Sequence, residues 1–321
     1  MLKIGIIGAG HLGKIHIKCI MELSPYYQLV GFFDTDAARR EAISNEFGIL
    51  AFDSQLDLIN SVDVIDIVTP TIYHFDVAKA AIEQDKHVFI EKPVTATLDE
   101  AETLLKLSNN KAIKIQIGHV ERFNPAVLGL GDKAIHPMFV EAHRLSMFNP
   151  RGTDVSVVLD LMIHDIDLIL DWIKSPVKNI QASGVAVVSD TPDISNARIE
   201  FENGCVANLT ASRISMKQMR KIRLFQKDAY ISLDLLEKQT QIIEISDIEP
   251  LNSDQTFPLE TPKGTKFITI NMPDIQQINA IKEELLSFYF SIKDNQPIKV
   301  SLKDGVNVLN IAYQILDKIN Q

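Results

Sequence analysis

Two rhythms of apolar and polar positions follow one another along this chain. Over the first 120 residues, short apolar, largely β-branched runs at 3–7, 28–34, 49–51, 63–68, 87–90 and 113–117 read as buried strands. Between them, 12–23, 37–47, 74–84 and 99–107 carry apolar side chains at helical spacing, as Leu12, Ile15, Cys19 and Leu23 do in the first. Strands alternating with helices predict an α/β domain built on a parallel sheet. Beyond it the rhythm changes. Residues 138–145 alternate as a half-buried strand, 156–172 form one largely apolar helix, and strands follow at 180–188, 197–202, 205–212, 221–226, 230–235 and 241–245. Asn203-Gly204 marks a hairpin turn, 252–263 reads as a proline-punctuated loop, and 275–293 and 305–319 read as helices. This second half predicts an α+β domain whose largely antiparallel sheet is covered by a helix on one face and open on the other. An open face predicts a homo-oligomer, dimer or tetramer. The boundary falls near residue 120, giving domains 1–120 and 121–301.

Composition changes this picture little. A length of 321 residues suits two domains, and 46% hydrophobic with 23% charged residues is ordinary for a globular protein. A net charge of −10 argues against nucleic acid or a membrane surface as partner and leaves room for an anionic ligand in a local basic pocket. The two cysteines, Cys19 and Cys205, lie far apart without CxxC spacing, which argues against a disulfide framework and suits a reducing compartment. The chain opens directly on its first strand, without the pattern of a signal peptide, and no apolar run reaches the ~20 residues of a membrane span. The expected location is the cytoplasm.

The chemistry is concentrated at strand ends. Gly8-x-Gly10-x-x-Gly13 stands between the first strand and the first helix. Gly8 allows the turn, Gly10 lets backbone N–H groups approach a pyrophosphate, and Gly13 lets helix and strand pack closely. The helix start, with His11 and Leu12, adds partial positive charge. His16, one turn on, reads as a solvent or cofactor-edge contact. Asp34 ends the second strand, placed to accept from ribose hydroxyls and to repel a 2′-phosphate, which favours NAD over NADP; as an alternative it caps the next helix. Arg39 and Arg40 nearby pull toward the phosphorylated cofactor. Thr69-Pro70 follows the strand at 63–68 and borders the nicotinamide half, and His74 opens a helix as a structural or ribose contact. Glu91-Lys92-Pro93 ends the strand at 87–90. Proline restricts the residue before it, so Lys92 has a defined backbone and its ammonium could polarise a substrate oxygen, although a lone lysine reads equally as surface charge.

Residues 118–125 cross toward the second domain, where Arg122 and Asn124 read either as substrate contacts in a cleft or as groups at a helix start. Asp160 and His164, four apart on the long apolar helix, share a face and form either a satisfied structural pair or a reacting one. Asp165 and Asp167 point to other faces, so no metal is assigned.

The Glu91-Lys92-Pro93 signal, with the glycine turn and Thr69-Pro70…His74, resembles the Gfo/Idh/MocA family of NAD(P)-dependent sugar oxidoreductases over nearly the whole chain. The resemblance implies an N-terminal Rossmann domain, an open-faced second domain, and a last helix, 302–321, packed back on the first domain. It implies His164 as general base on a sugar hydroxyl, Lys92 stabilising the oxygen, and Asp160 holding substrate or tuning His164. Gly8, Gly10, His11, Leu12, Gly13, Asp34, Thr69, Pro70, His74, Glu91 and Lys92 are the implied cofactor contacts. The family's Gly-Gly stretch before the catalytic helix is replaced here by 152–158. This stretch, 118–125 and 160–167 look more like the branch that oxidises the 3-hydroxyl of UDP-N-acetylglucosamine. Arg122, Arg144, Arg151, Arg213 and Lys217 are then available for the pyrophosphate, with Arg122, Asn124, Arg144 and Arg213 as expected substrate contacts. The alternatives are a dehydrogenase of a free sugar or cyclitol, and a non-catalytic NAD-binding regulator on the same fold.

Overall fold

In the computed structural model, which describes residues 1–149, 155–249, 255–262 and 264–321, the chain divides into two units. One comprises 1–120 with 279–310, the other 121–278 with 311–321.

The first unit is a parallel sheet of five strands in the order β2-β1-β3-β4-β5 among the described residues. They are β1 (Leu2–Ile7), β2 (Tyr27–Phe33), β3 (Val64–Ile67), β4 (His87–Glu91) and β5 (Ile115–Gly118). Helices α1 (His11–Glu22), α2 (Ala37–Phe47), α3 (Gln55–Ser61), α4 (His74–Glu83) and α5 (Leu98–Ser108) connect them. Local chemistry sets their ends. The Asp36 side chain caps α2 through the Arg39 N–H, Gly48 closes it in the left-handed region at φ +66°, and Thr97 with Glu100 forms a capping box on α5. The strand expected at 49–51 is reduced to an isolated bridge of Ala51 to Phe32, and α3, begun by the Ser54 cap, follows it.

The sequence reading places 275–293 in the second domain, but its helix, Ala280–Lys293, belongs to the first unit. Its fully buried Leu285 and Phe288 join Ile17, Ile20 and Phe89 in one core, and the Tyr27 hydroxyl donates to the Leu285 carbonyl at 2.8 Å. Burying each of those two side chains contributes about 1.5–3 kcal/mol. The last helix, Leu302–Ile319, differs from expectation too: residues up to 310 group with the first unit and those from 311 with the second.

The second unit carries a nine-stranded sheet, among the described residues, in the order β13-β14-β12-β11-β10-β6-β9-β8-β7. Its strands are β6 (Phe139–Leu145), β7 (Val177–Val185), β8 (Ile194–Phe201), β9 (Val206–Ser212), β10 (Met219–Phe225), β11 (Ala229–Asp234), β12 (Gln239–Ser246), β13 (Thr256–Thr261) and β14 (Gly264–Asn271). Among the described residues only β6 and β9 pair in parallel. Val140, Ala142, Ile222, Leu224, Ile231 and Leu233 fill the covered face. On that side lie α6 (Pro125–Leu128) and α7 (Ile163–Trp172). The expected loop at 252–263 is a strand over Thr256–Thr261; β13 is the sheet edge, where Pro258 is tolerated because its missing N–H faces no neighbour.

Candidate active site

At the end of β1 the chain turns through Gly8, whose φ of +99° favours glycine and whose Cβ would stand 2.6 Å from the Val68 carbonyl oxygen. The Gly8 carbonyl blocks any side chain at Gly13, so α1 packs directly on the turn. Gly10 faces open space, and α1 begins with no side-chain cap on its first N–H groups. Uncapped donors, an open approach and the positive end of a helix together make an anion cradle. Beside it a cleft of about 320 Å³ is lined by Gly8, Asp34, Arg39, Thr69, Pro70 and Tyr73.

Asp34 is 5% exposed; its carboxylate accepts from the N–H groups of Ala9 and Asp36, each at 2.9 Å, and from Arg39 at 3.0 and 3.1 Å. Burial works against its charge, but these donors prevail and hold the carboxyl below its ordinary pKa. Arg40 donates to the Asp34 carbonyl at 2.7 Å. Both arginines are thus tied to Asp34 and its backbone. Thr69 Oγ1, at the end of β3, is buried without a protein partner among the described residues, a polar atom ready for a ligand amide or hydroxyl. These features fit a dinucleotide: a cradle for pyrophosphate, a carboxylate for ribose and an unfilled polar atom farther along.

Two expected cofactor contacts have other work. His74, 1% exposed, lies between two turns, with Nδ1 2.9 Å from the Pro93 carbonyl and Nε2 2.9 Å from the Thr69 carbonyl. Burial lowers its pKa, and the neutral ring, with a single N–H, donates to one of these two carbonyls while packing against the other. Glu91 turns inward: one carboxylate oxygen accepts the Lys92 N–H at 3.2 Å and the other lies 3.3 Å from His16 Nε2. His16 itself, expected at solvent or a cofactor edge, is fully buried with Nδ1 2.9 Å from Asp66. The signal was in the spacing, because Gly13, His16, Ile17 and Ile20 form the buried face of α1. Lys92 is half-buried, joined to Pro93 by a cis peptide, while His11 and Pro70 are exposed and Leu12 half-buried.

On the second unit, the expected helix over 156–172 starts as a π-helical turn, Val158–Met162, and becomes α-helical only at Ile163. Such wide turns are frequent at functional sites. Asp160 sits in this turn and His164 just beyond it, both half-buried, whereas Asp165 and Asp167 face the interior.

Two arginines expected to bind substrate hold this helix in place. Arg144, on β6 and 3% exposed, donates to Asp165 through Nε at 3.1 Å and Nη2 at 2.7 Å, and to Glu121 through Nη1 at 2.8 Å. Burial opposes its charge, and the two carboxylates raise its pKa nonetheless. Arg122 grips Asp167 with Nε at 2.8 Å and Nη2 at 2.7 Å and reaches Asp171 at 3.0 Å. Both guanidiniums thus engage internal carboxylates. Asn124 caps α6 through the Ala126 N–H and donates to Glu121 and to the Leu235 carbonyl. Arg213 is 4% exposed and donates to the Val155 carbonyl; Lys217 is exposed. Arg151 and residues 152–154 lie outside the described residues.

Comparison with known proteins agrees with this anatomy. Residues 2–119 match the family described as "Oxidoreductase family, NAD-binding Rossmann fold", and residues 135–231 the "GFO/IDH/MocA C-terminal domain". The chain is 34% identical, over 98% of its length and 96% of the relative's, to UDP-N-acetylglucosamine 3-dehydrogenase of Acidithiobacillus ferrooxidans. The crystal structure of that enzyme superposes with a TM-score of 0.88, covering 99% of this chain and 97% of the other. A scyllo-inositol 2-dehydrogenase (NAD(+)) of Bacillus subtilis is 25% identical over 67% of this chain and 68% of its own. Levoglucosan dehydrogenase shares the fold at 18% identity, with a TM-score of 0.85 over 99% of this chain and 97% of its own. The chain belongs to the Gfo/Idh/MocA oxidoreductase family, an enzyme on an NAD-binding Rossmann domain.

Proposed function

We propose that this enzyme oxidises the 3-hydroxyl of UDP-N-acetylglucosamine, or of a close UDP-N-acetylhexosamine, to a ketone. The observation that carries the reading is the 34% identity to the Acidithiobacillus ferrooxidans 3-dehydrogenase over 98% of the chain. NAD, when bound, accepts the hydride from the sugar carbon, and the hydroxyl proton must leave separately. His164 receives that proton. Its Nδ1 is enclosed, so Nε2 is the nitrogen assigned the exchange, and imidazole is the side chain best suited to general-base work near neutral pH. The Lys92 ammonium stabilises the oxygen as negative charge develops on it, and Asp160 orients substrate or ring. The Gly8–Gly13 cradle, Asp34 and Thr69 hold the cofactor. Lys217, exposed, is a described cation offered to the substrate pyrophosphate.

The uncovered sheet face supports assembly with a second copy. Side by side across the strands run Val206, Phe139, Phe225, Tyr230, Ile243 and Ile270, an unbroken apolar row on the open side. Such a row facing water is costly, and a closed homo-oligomer covers it.

The test is NADH formation with UDP-N-acetylglucosamine against a panel of free hexoses and inositols, with the keto position assigned by NMR. Turnover of the sugar nucleotide, with a 3-keto product, is expected. Turnover confined to a free sugar or cyclitol, or tight NADH binding without turnover of any substrate, contradicts the reading.

A further inference from the structure

Beneath the sheet edge of the first unit lies an ionic cluster that no step above uses. His16 from α1 is 0% exposed, with Nδ1 2.9 Å from Asp66 Oδ2 and Nε2 3.3 Å from Glu91 Oε1. Asp66 is itself fully buried in the middle of β3, and the Phe89 ring meets the imidazole edge-on with centroids 5.8 Å apart. Glu91 Oε2 accepts the Lys92 N–H at 3.2 Å. A continuous chain of polar contacts thus runs from β3 through α1 to the backbone of Lys92. Gly118 on β5 closes the other side, since a Cβ there would stand 2.7 Å from Glu91 Oε1. The other titratable groups close by are the Cys19 thiol, one turn along α1, and the Tyr27 phenol on β2.

Taking three ionisable groups out of water costs several kcal/mol per ion before pairing, and apolar side chains would fill the same space. A neutral imidazole has one N–H and can serve only the Asp66 bond, whereas a doubly protonated ring also sets a cation 3.3 Å from the Glu91 carboxylate. Burial opposes that charge, but Asp66 and then Glu91 hold the ring pKa well above the ordinary histidine value.

We propose that His16, anchored by Asp66, is a positioning residue: as an imidazolium it fixes the Glu91 carboxylate, and through it the backbone from which Lys92 projects. This rests on the role given to Lys92 above.

Two measurements on the NADH-bound enzyme test it. In 15N NMR of histidine-labelled protein, with the His16 ring assigned by its loss in His16→Gln, both ring nitrogens are expected to be protonated at about pH 7.5, roughly one unit above the ordinary value. A neutral ring there overturns the proposal. In kinetics with UDP-N-acetylglucosamine, His16→Gln is expected to lose at least about tenfold in kcat, with KM and the NADH Kd changing less than about threefold. Added to Lys92→Ala, it is expected to cost less than about twofold more, because the two act through one group. Wild-type kcat in His16→Gln, or its full cost repeated in the Lys92→Ala background, overturns the proposal. Should His16→Gln not fold, Asp66→Asn is read in the same arms: the His16 ring loses its proton at lower pH and kcat falls with it, and no change in either is a refutation. Full turnover by Lys92→Ala, or none by the unaltered enzyme on any sugar, marks failure of the functional reading instead, and the NMR result then decides the charge on His16 by itself.

Discussion

A methyl group on residue 118 would land on the Glu91 carboxylate, so a glycine in β5 is as much a part of the Glu91-Lys92-Pro93 turn as the turn itself. Gly118→Ala is therefore expected to lower kcat and thermal stability together, by about 1–3 kcal/mol in stability, measured by denaturant unfolding alongside turnover. From the roles proposed for them, Lys92→Ala and His164→Ala are each expected to lose about 10²–10⁴-fold in kcat while NADH fluorescence titration gives a Kd within about threefold of the unaltered enzyme. Asp34 supplies the pH dependence. Its folded pKa lies below the unfolded value, so its contribution is present above about pH 4 and is lost as pH falls through the depressed value. Unfolding free energy measured from pH 5 downward is expected to fall less steeply in Asp34→Asn, and the same substitution weakens NADH binding.

At the scale of elements, α7 is held by two cations from different strands and turns. Removing Arg144 strands Asp165 and Glu121 in the interior, so Arg144→Ala is expected to cost about 3–5 kcal/mol, and Arg122→Ala less, because Asp171 and the edge of its site are wetter. Equal, small losses in urea unfolding would show that the arginines are not structural. These pairings mark the limit of what the sequence makes legible. The glycine turn, the Asp34 strand end and Glu91-Lys92-Pro93 are readable because each is defined by neighbours within a few residues. Arg122–Asp167 and Arg144–Asp165 join residues 45 and 21 apart, and only the packing of helix on sheet decides that these arginines face inward rather than toward a ligand. His16 was readable in part: its place on the apolar face of α1 announces burial, but its two carboxylate partners come from β3 and β4. The β13–β14 hairpin hides because Pro258 suggests a loop, and edge strands alone accept a proline.

For the whole molecule, the apolar row across the open sheet face is the proposed contact with a second copy. Phe225→Asp with Tyr230→Asp is expected to leave a folded protein of one-chain mass in light scattering; an unchanged larger mass would place the interface elsewhere, and a one-chain mass for the unaltered protein would remove it. The central claim is the identity of the reaction. Its most direct measurement is the product formed from UDP-N-acetylglucosamine and NAD, followed by NADH absorbance and by NMR of the sugar ring. Stoichiometric NADH with a ketone at carbon 3, abolished in His164→Ala, is the predicted result; a ketone at another carbon, or NADH formed only from free sugars, would contradict it.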